Sequence, residues 1–178
     1  MKHILLVAYL FCASVSAETL SGNYELSKSK VAYLVTYLIK KADGESVGSK
    51  GKGECKSDGC EFLVAAPIKT FTSKDNNRDL NMLTVVKADK FPLVVANIKT
   101  KGAIANGRLI TDVEIQFAGV KKMYSAVPFT AKSDGTGFHV EGKINLILTE
   151  YKIERPSLLG VSINDEVPLT IEADWKKN

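Results

Sequence analysis

Histidine is almost missing from this chain, with two in 178 residues. Cysteine is little commoner, at three. Neither supports metal or thiol chemistry. His3 lies in the leading segment, which leaves His139 alone in the body of the chain. One histidine cannot complete a zinc set, and no Cys–His pair can be drawn. A Gly-x-Ser-x-Gly elbow, a phosphate loop and a dinucleotide fingerprint are also missing. Residues 51–59, GKGECKSDG, are glycine-rich but open no helix, as a phosphate loop must. An enzyme here would need a site built from scattered groups such as Tyr33, Asp79 and His139, so no catalytic residues and no metal site are expected.

Strong charge is lacking too. The formal net charge is +4, spread along the chain rather than gathered into the basic patch that nucleic acid requires. It allows at most transient contact with a membrane surface. No apolar run approaches the roughly 20 residues of a membrane-spanning helix.

What is present begins with an export pattern. Lys2 and His3 precede the apolar stretch from Ile4 to Phe11, and Ser14-Val15-Ser16-Ala17 supplies small residues for cleavage after Ala17. This is a secretory signal peptide. Cys12 follows the bulky Phe11, which argues against a lipid-anchored start. The remaining domain is residues 18–178, outside the cytoplasm and in the periplasm. One lysine and no acid leave with the signal, lowering the charge of +4 by one.

Cys55 and Cys60 remain, flanking Lys56-Ser57-Asp58-Gly59. An even pair in an exported protein suggests a disulfide, here across a hairpin turn. Almost everywhere else the apolar pattern has period two. Strands are expected over 30–39, within 54–68, over 91–102, in two runs joined around Ala118-Gly119-Val120, over 138–153 and over 165–175. Residues 44–53 are expected to form a mobile hairpin end. Helical spacing is confined to 78–89 and a turn around 155–159. About eight short strands point to an antiparallel sandwich or barrel. Apolar residues on both strand faces, as in Val31-Ala32-Tyr33-Leu34-Val35, favour the barrel.

In a barrel, the period-two phase nominates inward residues: Val31, Tyr33 and Val35; Val94, Ala96 and Ile98; Ile115 and Phe117; Val127 and Phe129. Later strands add Phe138, Ile144 and Leu146; Val161 and Ile163; Leu169 and Ile171. His139 has the opposite phase to Phe138 and Val140, so it faces solvent. Asp112 and Glu114 share an outer face. Leu80, Leu83 and Val86 fall three apart and face inward as a lid. Arg78 and Asp79 pair with or cap that helical turn.

Several stretches together resemble the YceI-like family, the polyisoprenoid-binding, lipocalin-like exported proteins of bacteria. Arg78-Asp79, Met82, the helical turn and Lys90-Phe91-Pro92 are similar to its signature. LITDVEIQFAGVKK resembles its strand–Gly–Val–Thr–Lys corner, with Gly119, Val120 and Lys122 in matching places. FHVEGKINLILTEYKI and VSINDEVPLTIEADW are similar to its aromatic and closing strands, and the likeness begins at YELSKSKVAYLV. Asn81 stands where the family often has histidine, Lys152 where glycine is common, and the Cys55–Cys60 pair is not a general feature of it.

The resemblance implies an all-β fold: an extended eight-stranded antiparallel lipocalin-like barrel with a short helix near 78–89. It implies an apolar tunnel for an isoprenoid lipid, either a polyprenyl chain or a quinone tail, and often a homodimer. No cofactor is expected beyond such a bound lipid. The expected function is a carrier or sequestering protein. Its alternative is a stress-related structural or interaction barrel whose lumen is filled by its own side chains.

Overall fold

The computed structural model describes residues 17–158 and 160–178. The proposed signal segment up to Ser16 lies outside them.

Fourteen labelled elements follow one another along the chain. They are β1 (Ala17–Thr19), β2 (Gly22–Tyr37), β3 (Lys40–Ser46), β4 (Lys50–Lys56), β5 (Gly59–Pro67), α1 (Asn76–Val85), β6 (Leu93–Thr100) and β7 (Ala103–Ala105), then β8 (Arg108–Phe117), β9 (Val120–Ser133), β10 (Gly137–Ile147), β11 (Ser157–Leu158), β12 (Val161–Ser162) and β13 (Glu166–Lys177). Eight of these strands close an antiparallel ring in the order β8, β6, β5, β4, β2, β13, β10, β9 and back to β8. Closure removes the free edges of an open sheet, although β9 meets β10 only over Phe138–Gly142.

The glycine-rich segment 44–53 is wall, not a mobile hairpin end. β3 pairs with the far half of β2, Val31 to Tyr37, and β4 pairs with its near end, Gly22 to Glu25. The glycines serve ring packing. A Cβ on Gly53 would lie 1.9 Å from Phe62 Cδ1, and one on Gly44 would lie 2.5 Å from Tyr33 Cζ. Each ring lies over the space its glycine leaves free. The chain departs from the sheet at Val47 to Ser49, between the two strands.

Past that break, β3 keeps β2 on one side only, and the segment after β5 fills the other. Glu45 and Thr72 exchange backbone hydrogen bonds at 3.0 Å. The Ile68 amide donates to the Pro92 carbonyl at 2.9 Å. Between these anchors α1 lies over one end of the barrel. It covers Asn76–Val85 rather than 78–89, because Lys87 takes a positive φ of 56° and a tight turn carries the chain to Phe91 and Pro92. Pro92 thus stands just before β6, where its missing N–H costs nothing.

The opposite end is packed solid. Phe62 and Trp175 lie 4.8 Å apart between ring centroids, Tyr24 and Phe138 lie 5.1 Å apart, and Phe138 stacks on Trp175 at 6.0 Å. Such contacts stabilise beyond area burial alone. The disulfide Cys55–Cys60 staples the β4–β5 hairpin at this end, and both cysteines are buried.

Candidate functional site

An apolar tunnel of about 730 Å³ runs inside the barrel from the α1 end toward the aromatic floor. This is within the size range of pockets that enclose small molecules. Inward phases of consecutive strands build it. β2 contributes Leu26, Val31, Tyr33 and Val35; β5 contributes Phe62, Val64 and Ala66; β6 contributes Val94, Ala96 and Ile98. β8 adds Leu109, Val113, Ile115 and Phe117, β10 adds Phe138, Val140, Ile144 and Leu146, and β13 adds Val167, Leu169, Ile171, Ala173 and Trp175. Phe129 comes from β9 and Ile163 from the segment before β13.

Of the strand residues the sequence nominates, the fold brings all to this lining except Val127 and Val161. Val127 packs against the core without reaching the cavity. It follows a bulge in which Thr111 and Val113 of β8 oppose Val127 and Tyr124, and in which Ala126 takes a positive φ of 54°. Val161 belongs to the two-stranded β11–β12 ribbon outside the ring and is exposed. Period two located β-strands but could not tell a wall strand from an outlying ribbon.

Of the α1 side of the site, sequence reasoning placed only Val86 correctly; Leu83 packs against the core without reaching the cavity. Met82, Val85 and Val86 line the tunnel, with Ile68 and Phe71 before them. Leu80, expected to face inward, is 60% exposed, because the helix presents its 82–85–86 face to the lumen. Phe62, Val64 and Ala66 were legible as an alternating strand but went unassigned.

Exposed polar groups border the tunnel where it meets the surface, and Thr100, Thr111 and Glu172 also line it. Lys40, Lys41, Arg78, Asn81 and Ser157 are exposed lining residues. Lys40 and Lys41 follow the β2–β3 turn. Arg78 lies in the first turn of α1 and pairs with Asp75 at 3.5 Å. Asp75 is also the helix N-cap, its carboxylate accepting from the Arg78 amide at 3.1 Å. Asp79 accepts from the Ser73 amide at 2.9 Å, the Ser73 hydroxyl at 2.6 Å and the Thr72 hydroxyl at 3.1 Å. These bonds, the Ser73 hydroxyl foremost, hold its carboxyl below the usual carboxylate range. Asp79 therefore anchors the helix, while Arg78 both pairs locally and borders the tunnel. Burial, and then the Asp79 charge, raise the Tyr33 phenol pKa, so that ring lies below α1 in a low-dielectric setting.

Deeper, Ser29 Oγ and Ser49 Oγ are buried without a hydrogen-bond partner in the protein, and both residues line the cavity. They flank the break between β3 and β4. A polar atom beside them would offset a desolvation cost of roughly 1–3 kcal/mol per hydroxyl.

His139 lies away from the tunnel on the outer wall. Its Nδ1 is 2.6 Å from Asp174 Oδ1 and its Nε2 is 3.0 Å from Glu141 Oε1. Glu114 also faces outward and pairs with Lys121 at 2.9 Å. Asp112 accepts from the Ala126 amide at 2.8 Å and so closes the bulge. Among the described residues, no group of three or more His, Cys, Asp and Glu side chains is placed to hold a metal ion.

No protein-family model and no curated protein matches this chain. Solved structures do. A polyisoprenoid-binding domain from Saccharophagus degradans, implicated in plant cell wall breakdown, superposes with a TM-score of 0.70 at 12% identity over 87% of this chain and 98% of that one. BcnA of Burkholderia cenocepacia gives 0.66 at 11%, over 82% and 95%. The YceI protein of Campylobacter jejuni gives 0.52 at 16%, over 100% and 94%. At these identities the likeness establishes the fold, which is the YceI-like, lipocalin-like barrel.

Proposed function

We propose that this chain is a YceI-like lipid-binding protein. It sequesters or carries an isoprenoid lipid, a polyprenyl chain or a quinone tail, and performs no chemistry on it. The observation that carries this reading is the tunnel itself: the lumen is walled by aliphatic and aromatic side chains but not filled by them. Apolar transfer contributes about 0.8 kcal/mol per methylene, so a long prenyl chain needs no hydrogen bond along most of its length. The cations and amide at the α1 end suit a polar head group, and Ser29 with Ser49 suits an oxygen along the chain. The polyisoprenoid-binding domain sharing this fold supports the ligand class. The alternative, a filled structural barrel, fits only the aromatic floor.

The disulfide supports an oxidising compartment, and we place the working protein in the periplasm. A direct test is uptake of a prenylated quinone by delipidated protein, followed by tryptophan quenching at Trp175 on the tunnel floor. Saturable quenching by the quinone, and none by its ring lacking the prenyl tail, is the expected result. Equal response to both, or to neither, would defeat the reading.

A further inference from the structure

The tunnel mouth carries an apolar tip that is not part of the tunnel lining. β2 continues past Tyr33, its last residue paired with β13, for the four residues Leu34 to Tyr37. At about 3.3 Å per residue this is a flap of roughly 13 Å, on which the Asn164 amide donates to the Thr36 carbonyl at 2.8 Å. Its turn is Leu38-Ile39. Leu38 is 63% exposed and Ile39 is 95% exposed. Turn chemistry favours glycine, asparagine or aspartate here, and Leu38 holds a φ of 51° that costs a branched side chain. The other exposed apolar residues, such as Leu63, Ile110 and Met123, are scattered singly over the wall, which is ordinary. Leu38 and Ile39 instead form a consecutive pair at a projecting tip.

Lys40 and Lys41 follow directly, both exposed at the mouth and without an ion-pair partner among the described residues. The nearby acids are committed elsewhere: Asp75 holds Arg78 and the helix start, and Asp79 holds Ser73 and Thr72. Asp43, two residues beyond Lys41 on β3, is the exposed acid of the flap. An apolar wedge flanked by two unpaired cations is complementary to an anionic bilayer, with the side chains entering the interface and the ammonium groups at head-group level.

We propose that the Leu38–Ile39 tip, with Lys40 and Lys41, docks the tunnel mouth on an anionic lipid bilayer. The mouth then faces the lipid phase, so that an apolar guest passes between membrane and tunnel with little exposure to water. This purpose rests on the tunnel being a lipid site; the docking itself does not.

The test is flotation of the protein with vesicles of phosphatidylethanolamine and phosphatidylglycerol, compared with phosphatidylcholine vesicles. The wild type should float with the first and not the second. Leu38→Gly with Ile39→Ser should weaken binding about tenfold or more, and glycine fits the left-handed φ, so the fold is kept. Lys40→Gln with Lys41→Gln should weaken it about fivefold per lysine, and Leu63→Ser should change nothing. Wild-type protein that does not float, or a tip variant that floats equally well, would overturn docking. So would a tip variant that converts a dimer to monomer while floating as before, which would assign the tip to self-association. Uptake of farnesol in bilayer-free solution separates the two readings. Both wild type and tip variant should take it up. Uptake without flotation overturns docking alone, whereas flotation without uptake supports docking and removes the tunnel reading.

Discussion

His139 lies on the outer wall between two carboxylates, and its protonated form is the one those neighbours favour. The Asp174 hydrogen bond, then that of Glu141, raises its pKa above the ordinary 6.5. A raised folded-state value gives stability that is fully present below pH about 6.5 and is lost as pH rises through the folded value. Depressed carboxylates act oppositely. Asp79, held by Ser73, Asp134, held by Thr136, and Asp165, held by Thr149, contribute stability above their ordinary 3.8 that is lost as pH falls through their lowered values. Thermal midpoints should therefore be highest between these two ranges and decline as pH rises above about 6.5, and His139→Asn should flatten that decline. An unchanged slope in the variant would contradict the assignment. The histidine is partly exposed, so the effect is small. Lys152 offers a second residue-level test. It holds a left-handed φ of 56° where a lysine Cβ is crowded. Lys152→Gly relieves that strain at an entropic cost, and should stabilise the protein by up to about 1 kcal/mol in urea unfolding. The outward phase of His139 was legible from its neighbours Phe138 and Val140. The left-handed turn at Lys152 was legible only through the family resemblance, which places glycine there, since nothing in a lysine announces a positive φ.

At the scale of elements, α1 and the β4–β5 hairpin lie at opposite ends of the barrel and are held by different means. The helix has no fully buried residue and depends on its anchors. Asp75→Ala removes the N-cap and the Arg78 partner, and should cost about 0.5–2 kcal/mol. It should also speed exchange of the α1 amides with solvent, without changing the strand ladders. The hairpin is held by Cys55–Cys60, and Cys55→Ser with Cys60→Ser should lose about 2–3 kcal/mol, since the closed loop is short. A denaturation midpoint unmoved by the double substitution would contradict a structural role. The cysteine pair and the Ala118-Gly119 corner were readable in sequence because turn chemistry is local. The wall strands β3 and β4 were not, since Gly44, Gly51 and Gly53 carry no apolar pattern. Their glycines answer to groups on other strands, the rings of Tyr33, Phe62 and Trp175 among them, a nonlocal cause. The helix was placed to within a few residues, but its inward face was misread at Leu80. Spacing of three selects a stripe and does not say which stripe meets the lumen.

For the whole molecule, the ring of eight strands follows from alternation, and period two brings most nominated residues to one lining. The sequence could not show that this lining stays open toward α1 and closes on Tyr24, Phe62, Phe138 and Trp175, because lumen volume depends on which side chains oppose one another across the ring. That asymmetry makes a filling substitution informative. Ala96 is a small lining residue on β6; Ala96→Phe should narrow the tunnel, cost about 1–3 kcal/mol if it crowds the core, and block uptake of long prenyl chains more than short ones. The central claim is that the lumen is kept empty for a hydrocarbon guest. Mass spectrometry of the protein purified without detergent from its native host, under conditions that preserve complexes, tests it most directly. The account predicts one prenyl-chain lipid per barrel, lost or shortened in Ala96→Phe. Protein of bare polypeptide mass that also fails to take up a prenylated quinone after delipidation would contradict it.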